Sequence, residues 1–245
     1  MNVAASISNK EEWIYLIKLC QRAGRYSDMC EYFSRYLDRG LEISSAERHL
    51  FSVAHHGRVT QMRTAYRIAS NILSGQHEDA SVGTATLKTL EEDIRNLCER
   101  VLVEISSKIR PTCVSPDQRA YFLKLRGDFE RYLAEVIKGP ARALHSKNAS
   151  ELYVEASDIS LCHLSPMDPV RLSLMLNFSI FYYEIYNEPE RACIVAKAAC
   201  DDAIDAGILS KKHSGADSEE RLTIFNLIRS NLIKWTTNLT STVHG

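Results

Sequence analysis

The sequence has little of what marks a membrane or a secreted protein. Its N-terminus shows no basic start followed by an apolar run, so no secretory signal can be read there. The longest charge-free apolar-rich stretch, Leu172 to Tyr183, has twelve residues, whereas a membrane-spanning helix needs about 20. The net charge of −1 leaves no overall field that would attract nucleic acid or anionic lipid. We therefore expect a cytoplasmic protein with no membrane insertion and no nucleic-acid partner.

Motifs for metal binding and catalysis are also missing. The seven cysteines are odd in number, widely spread and without a CxxC pair, which favours buried free thiols over disulfides or a zinc site. There is no glycine-rich phosphate loop and no HExxH helix. Cys162 and His163 are adjacent in sequence, and such neighbours rarely have the geometry of a nucleophile and its base. We predict that the protein is not an enzyme and needs no metal and no cofactor.

Glycine and proline are scarce, and their scarcity favours helices. Between ten glycines and six prolines lie long stretches in which apolar residues recur every three or four positions, with no competing strand pattern. We predict an all-α protein of antiparallel helices, with one helical domain over residues 1–240 and a short tail at 241–245. The nine predicted helices lie near residues 9–23, 27–40, 45–74, 84–109, 116–138, 147–162, 167–185, 189–206 and 218–238.

Polar residues recur seven apart on three of these helices, a spacing that places side chains nearly in register on one face. The pairs are His56 with Arg63, Lys124 with Arg131, and Asn177 with Glu184. The last helix has a stripe at steps of three, four and four, formed by Ile224, Leu227, Asn231 and Trp235. Spacing alone leaves the function open, because arginines on helices are usually solvated and a tryptophan stripe is usually core.

Four long segments carry a more specific signal. They are AERHLFSVAHHGRV (46–59), YFLKLRGDFERYLAEV (121–136), PVRLSLMLNFSIFYYEI (169–185) and RSNLIKWT (229–236). Together, and in this order, they resemble the signatures of the 14-3-3 family. The resemblance implies a cup-shaped protomer of nine stacked helices, which dimerises through its first four helices. It also implies an amphipathic groove that holds an extended phosphoserine or phosphothreonine segment of a client protein.

The resemblance assigns roles residue by residue. Phosphate would be bound by Arg63, Arg131 and Tyr132, supported by Lys124 and by His56, which stands where the family has a lysine. Asp128 would orient Arg131. Guanidinium groups and a tyrosine hydroxyl suit phosphate, because they donate several charge-assisted hydrogen bonds. The peptide backbone would be held by Asn177, Asn231, Glu184 and Trp235. The apolar wall of the groove would be formed by Leu176, Ile180, Ile224 and Leu227, beside Thr223 in place of the usual leucine.

Only part of the family's dimer contacts is present. AGRYSDM (23–29) resembles the junction of the first two helices that meets the partner's fourth helix, where Arg25 would pair with Asp93. Thr86 and Thr89 stand where the family has a tyrosine and a lysine, so Asp28 is expected to lack its charged partner. Exposed ion pairs contribute only about 0–1 kcal/mol, so apolar contacts should decide dimer stability. We expect a weakened homodimer whose apolar contacts include Leu16, Leu19 and Ile94.

Two functions remain open at this point. The first is an adaptor that binds phosphorylated client proteins in signalling. The second is a helical scaffold of the same fold that binds its partners without phosphate, an alternative suggested by His56. Loss of binding on dephosphorylation would distinguish the first from the second.

Overall fold

The computed structural model of the chain describes residues 7, 9–41, 43–74, 80–109, 115–208 and 216–243. Within these ranges every regular element is helical, which confirms the predicted all-α class. The elements are α1 Lys10–Arg22, α2 Tyr26–Asp38, α3 Ser45–Ser74, α4 Ala80–Glu104, α5 Pro116–Val136, α6 Pro140–His163, α7 Pro169–Glu184, α8 Pro189–Asp205 and α9 Ala216–Val243. A π-helical segment, Ile105–Ile109, continues α4.

The start of α6 differs most from the prediction. It begins at Pro140, seven residues before the predicted position 147. Gly139 adopts a φ of 72°, a conformation that favours glycine, and the proline then occupies the first turn, where its missing N–H costs nothing. The Gly-Pro pair therefore marks a helix start as well as a stop. At the other end of the chain, α9 continues to Val243, past the predicted end at 238.

The chain divides into two compact units, residues 1–112 and 113–245. In the first unit, α2 packs against α1 and α3, and α3 packs against α4. The core contains large aromatic side chains, among them Phe33 and Phe51, whose ring centres lie 5.6 Å apart in an edge-to-face arrangement. The start of α3 is capped reciprocally: Ser44 N donates to Glu47 Oε2 (2.6 Å), and Glu47 N donates to Ser44 Oγ (3.5 Å).

In the second unit, α7 lies at the centre and packs against α5, α6, α8 and α9. Its sequence is rich in large apolar residues because it is covered by neighbours on several sides. Phe178 and Phe181 pack around the buried ring of Tyr153 from α6, with centre-to-centre distances of 5.4 and 5.6 Å. This aromatic cluster fixes α6 and α7 beside α5, which carries most of the candidate site.

The six described cysteines are free thiols, as predicted, although Cys162 is exposed and Cys193 only partly buried. Cys113 lies outside the described residues. In the described ranges, no helix is long and apolar enough to cross a membrane. The same ranges contain no group of three or more His, Cys, Asp and Glu side chains that would bind a metal ion.

Candidate functional site

A buried ion pair lies in the middle of α5. Nζ of Lys124 donates to Oδ2 of Asp128 across 2.9 Å, and both side chains are buried, that of Asp128 completely. The two residues are four apart on one helix, a spacing that brings side chains together. Burying an ammonium group without a partner is costly, so the carboxylate is what allows a lysine at this position.

Tyr153 of α6 connects Asp128 with Arg131. Its hydroxyl donates to Oδ1 of Asp128 (2.7 Å) and accepts from Nε of Arg131 (3.3 Å). Arg131 is also buried, and its guanidinium carbon lies 4.6 Å from the centre of the Tyr132 ring. Three of the predicted phosphate ligands, Lys124, Arg131 and Tyr132, are thus held close together on α5.

The surroundings of this network fix its charges. Burial lowers the pKa of Arg131, but Tyr153, Tyr132 and Asp128 together raise that pKa by more, so the guanidinium stays charged. Burial and the neighbouring Asp128 raise the pKa of Tyr153, so its hydroxyl keeps its proton. Among the described residues no carboxylate lies within 4 Å ion-pair distance of Arg131. The network therefore contains two buried cations and a single carboxylate.

Asn177 extends the network to α7. Its Nδ2 donates to Oδ1 of Asp128 across 2.7 Å. Because a carboxylate only accepts hydrogen bonds, this contact fixes the orientation of the amide and leaves its oxygen as the acceptor on the other side. Leu176 and Ile180 are partly buried against the core of the second unit, and Glu184 at the end of α7 is exposed.

On α9 the predicted groove residues differ in exposure. Ile224 is partly buried against the core and Asn231 is half-buried, whereas Leu227 is 51% exposed. Trp235 is only 4% exposed, because its ring stacks on Tyr183 with centres 4.8 Å apart and planes 14° apart. The tryptophan therefore belongs to the core as well as to the predicted peptide-binding set.

Thr223, which stands where a leucine is usual, is exposed on α9. Its hydroxyl donates to the backbone oxygen of Glu219 across 2.8 Å. The hydroxyl is thus satisfied within the helix.

His56 and Arg63 lie on α3 of the first unit. Both side chains are half-buried. Because α3 is continuous from Ser45 to Ser74, the two residues lie on the same side of that helix, about 10.5 Å apart along its axis. His56 and Arg63 therefore share one face of α3, as their spacing of seven predicts.

A family profile described as 14-3-3 protein matches residues 16–236. The chain belongs to the 14-3-3 family. Similar relatives include a 14-3-3-like protein of Helianthus annuus, 37% identical over 97% of this chain and 93% of the relative. The 14-3-3 protein zeta of Bombyx mori is 36% identical over 94% of this chain and 93% of its own length. The 14-3-3 protein beta/alpha of Homo sapiens is 35% identical over 93% of both chains. The 14-3-3 proteins are adaptors that bind phosphorylated partners, and they are not enzymes.

The predicted dimer contacts of this 14-3-3 protein fall into two groups. Leu16 and Leu19 line an open cavity of about 620 Å³ along α1, together with Tyr15, and Leu19 is 50% exposed. Ile94, in contrast, is fully buried inside the first unit, so it offers no surface to a second protomer and drops out of the predicted interface.

The predicted charge pair at the dimer contact also changes. Arg25 forms an ion pair with Asp28, three residues further along its own chain, and Asp93 is exposed on α4. Asp28, expected to lack a charged partner, thus has one within its own protomer. An exposed pair of this kind contributes little, so the apolar residues on α1 remain the main candidates for dimer contacts.

Sequence reasoning on this 14-3-3 protein missed Tyr153. No other candidate site residue lies at a helical spacing from Tyr153, so the periodic pattern of the sequence does not indicate a role for this tyrosine. Its contact with α5 depends on Gly127, because a Cβ atom there would lie 2.9 Å from the Tyr153 ring. The glycine within an otherwise helical segment is the one hint of close approach that the sequence offers.

Proposed function

We propose that this 14-3-3 protein is a phosphoserine- and phosphothreonine-dependent adaptor, which binds phosphorylated segments of client proteins in the cytoplasm and regulates them in signalling. The observation that supports the proposal is the buried network around Asp128, in which two cations, Lys124 and Arg131, share a single carboxylate. Lys124 is balanced by Asp128, whereas Arg131 hydrogen-bonds to a neutral tyrosine hydroxyl. Because one carboxylate serves both cations, the network keeps a positive charge that an added anion would balance.

Phosphate fits this site better than a carboxylate does. It carries a charge of about −1.5 to −2 at pH 7 and has three acceptor oxygens. The guanidinium fork of Arg131 matches two of those oxygens, and the hydroxyl of Tyr132 is a further donor. His56 and Arg63 are proposed as additional phosphate ligands from the family resemblance.

The peptide on either side of the phosphate would be held by the amides and apolar residues of α7 and α9. The oxygen of Asn177 is oriented as an acceptor for a peptide N–H, because its nitrogen donates to Asp128. Asn231, Glu184 and Trp235 are proposed as further backbone contacts. Apolar side chains of the segment would pack on Leu176, Ile180, Ile224 and Leu227.

Fluorescence anisotropy with a degenerate peptide library tests the proposal. One form of the library carries a fixed central phosphoserine and the other the same position unphosphorylated. We expect saturable binding of the first form only. Equal binding of both forms would favour the phosphate-independent scaffold and overturn the proposal.

The variant Arg131→Ala tests whether phosphopeptide binding depends on the buried network of α5. It removes at least two charge-assisted bonds, worth about 3 kcal/mol or more, so affinity should fall about 100-fold or more. Arg191→Ala is the matched control, because Arg191 is exposed on α8 and also lies over a tyrosine ring, 5.4 Å from the centre of Tyr182. Arg63→Ala should lose binding like Arg131→Ala, with helicity retained in all three variants.

A further inference from the structure

Two opposite charges on α5 are close in sequence but are not paired with each other. Asp128 and Arg131 are three residues apart and both are buried. Such a spacing normally allows a direct ion pair on a helix. In the part of the chain that the structure describes, however, Arg131 has no carboxylate within 4 Å, and the hydroxyl of Tyr153 bonds to both groups.

We propose that Tyr153 is a positioning residue of the phosphate site, which keeps Arg131 from being neutralised by Asp128 and turns its guanidinium fork toward the phosphate. This inference rests on the proposed function. The tyrosine separates the cation from the anion with one neutral O–H group. Without it, Arg131 and Asp128 would form a direct pair that competes with the phosphate.

The hydrogen-bond inventory supports this role. Arg131 uses its Nε–H on the tyrosine oxygen, and the two terminal nitrogens of the guanidinium group are the pair that matches phosphate oxygens. Asp128 is occupied at the same time: Oδ1 accepts from Tyr153 and Asn177, and Oδ2 accepts from Lys124. Arg131 and Asp128 are therefore each satisfied by partners other than one another.

The tyrosine is held firmly enough to act in this way. Its ring is fully buried and packs against Phe178 and Phe181. It also lies directly on α5, at a place where only the absence of a side chain at Gly127 leaves room for it. Because burial and Asp128 raise the pKa of Tyr153, the hydroxyl remains a donor to the carboxylate.

Tyr153→Phe tests the proposal with the phosphoserine library described above. The variant keeps the ring and removes only the hydroxyl, and we expect its affinity to fall about ten-fold. Tyr186→Phe is the matched control: it belongs to the same aromatic cluster, and its hydroxyl donates to the backbone oxygen of Ser146 (3.4 Å), away from Arg131. Unchanged affinity in folded Tyr153→Phe would overturn the positioning role while leaving the proposed function intact. Equal binding of the phosphorylated and unphosphorylated libraries by the wild type would overturn both the positioning role and the proposed function.

A double-mutant cycle with Asp128→Asn separates positioning from a merely structural role. If Tyr153 acts by keeping Arg131 from the carboxylate of Asp128, Tyr153→Phe should reduce phosphopeptide affinity less in the Asp128→Asn background, where no competing anion remains. The loss there should be at least about five-fold smaller than the loss that Tyr153→Phe causes in the otherwise wild-type protein. Equal losses in both backgrounds would overturn the proposal.

An NMR measurement on the wild type decides the matter if a variant fails to fold. The Nε–H signal of Arg131, identified by its disappearance in Arg131→Lys, should exchange slowly with solvent. Exchange as fast as that of exposed arginines would overturn the proposal.

Discussion

Replacing Glu104 with glutamine tests a buried titratable pair in the first unit. Oε1 of Glu104 accepts from the hydroxyl of Ser34 (2.7 Å), and Oε2 lies 3.7 Å from Nε2 of His55 with no hydrogen-bond partner among the described residues. Nδ1 of His55 is 2.8 Å from the backbone oxygen of Phe51. Because that oxygen only accepts, Nδ1 carries a hydrogen, and neutral His55 presents a lone pair to Glu104. A proton on Oε2 would remove the charge from this buried carboxyl group.

The pKa shifts of the two groups run in the direction that favours protonation of the carboxyl group over the imidazole. Burial raises the pKa of Glu104 above its ordinary value of 4.5, and burial lowers the pKa of His55 from 6.5 to about 3. Charged and polar neighbours on α2, α3, α4 and the π-helical segment modify these shifts without reversing them. They are Ser34, Asp38, His56, Arg100 and Lys108.

The pH dependence of stability follows from counting protons. Between pH 4.5 and 6.5 the unfolded pair is an ionised Glu104 and a charged His55, which together hold one titrating proton. In the folded pair His55 is neutral, and the raised pKa of Glu104 lets its carboxyl group bind a proton at higher pH than the unfolded one does. That proton offsets part of the one that His55 gives up on folding, so the wild type loses stability less steeply as pH falls from 6.5 to 4.5 than His55 alone would dictate.

In Glu104→Gln only His55 still titrates. The amide oxygen can accept from Ser34 as the carboxyl oxygen does, and the side chain keeps its size, so stability near pH 7 should stay within about 1 kcal/mol of the wild type. A histidine whose folded pKa is depressed contributes stability that is lost as pH falls below 6.5. The variant should therefore lose about 2 kcal/mol between pH 6.5 and 4.5, and the wild type should lose less over the same window.

Urea unfolding followed by circular dichroism measures this difference. Protein concentration must be held constant, because stability of a dimer depends on it. Glu91→Gln is the matched control on the same helix, since Glu91 is a partly exposed carboxylate paired with Arg95. It should follow the wild-type profile to within about 1 kcal/mol. Parallel pH profiles for wild type and Glu104→Gln would refute the role given to the raised pKa of Glu104.

Three further predictions follow from the site and the dimer surface. Lys124→Ala should destabilise the protein by about 3–5 kcal/mol in urea unfolding because it strips a buried carboxylate of its cation, whereas Lys197→Ala, which breaks an exposed pair of the same spacing, should leave stability nearly unchanged. The wild type should sediment as a dimer at tens of micromolar and dissociate on dilution, and Leu19→Asp should sediment as a monomer; a wild type that is monomeric throughout would contradict the first statement. Phosphopeptide binding at pH 7.5 should take up protons if His56 is a phosphate ligand, because a phosphate dianion favours the imidazolium. Calorimetry in two buffers of different ionisation enthalpy measures that uptake, which should vanish in His56→Gln.

The helices that sequence reasoning placed best have strong local signals at their ends. α3 begins at Ser45 and ends at Ser74, as predicted, and the Ser44–Glu47 capping pair marks its start. α5 begins at Pro116, a residue type suited to the first turn. Where one local signal permits two interpretations, as at Gly139-Pro140, the boundary was missed by a full two turns of helix.

Burial was much harder to predict than spacing, because it depends on neighbours that are distant in sequence. Ile94 and Leu19 were both expected at a dimer surface, yet one is fully buried and the other half exposed. His55 precedes a predicted phosphate ligand and carries no periodic signal of its own. Only the packing of α2 and α4 against α3 makes it a buried histidine beside a buried carboxylate.

Two lysine–aspartate pairs in this chain show why the site needed the tertiary structure. Lys124 with Asp128 and Lys197 with Asp201 have the same residue types, the same spacing of four and a similar short contact, 2.9 and 2.5 Å. On α8 the pair is exposed to water, which screens both charges, so it contributes little and attracts no particular ligand. On α5 the pair is buried, water is excluded, and the carboxylate is also bonded by Tyr153 and Asn177. In that low-dielectric environment Lys124 and Arg131 share the charge of one carboxylate, so the positive charge left over attracts an anion more strongly than it would in water. The same four-residue pattern is thus a solvated surface feature in one helix and part of a candidate phosphate site in another.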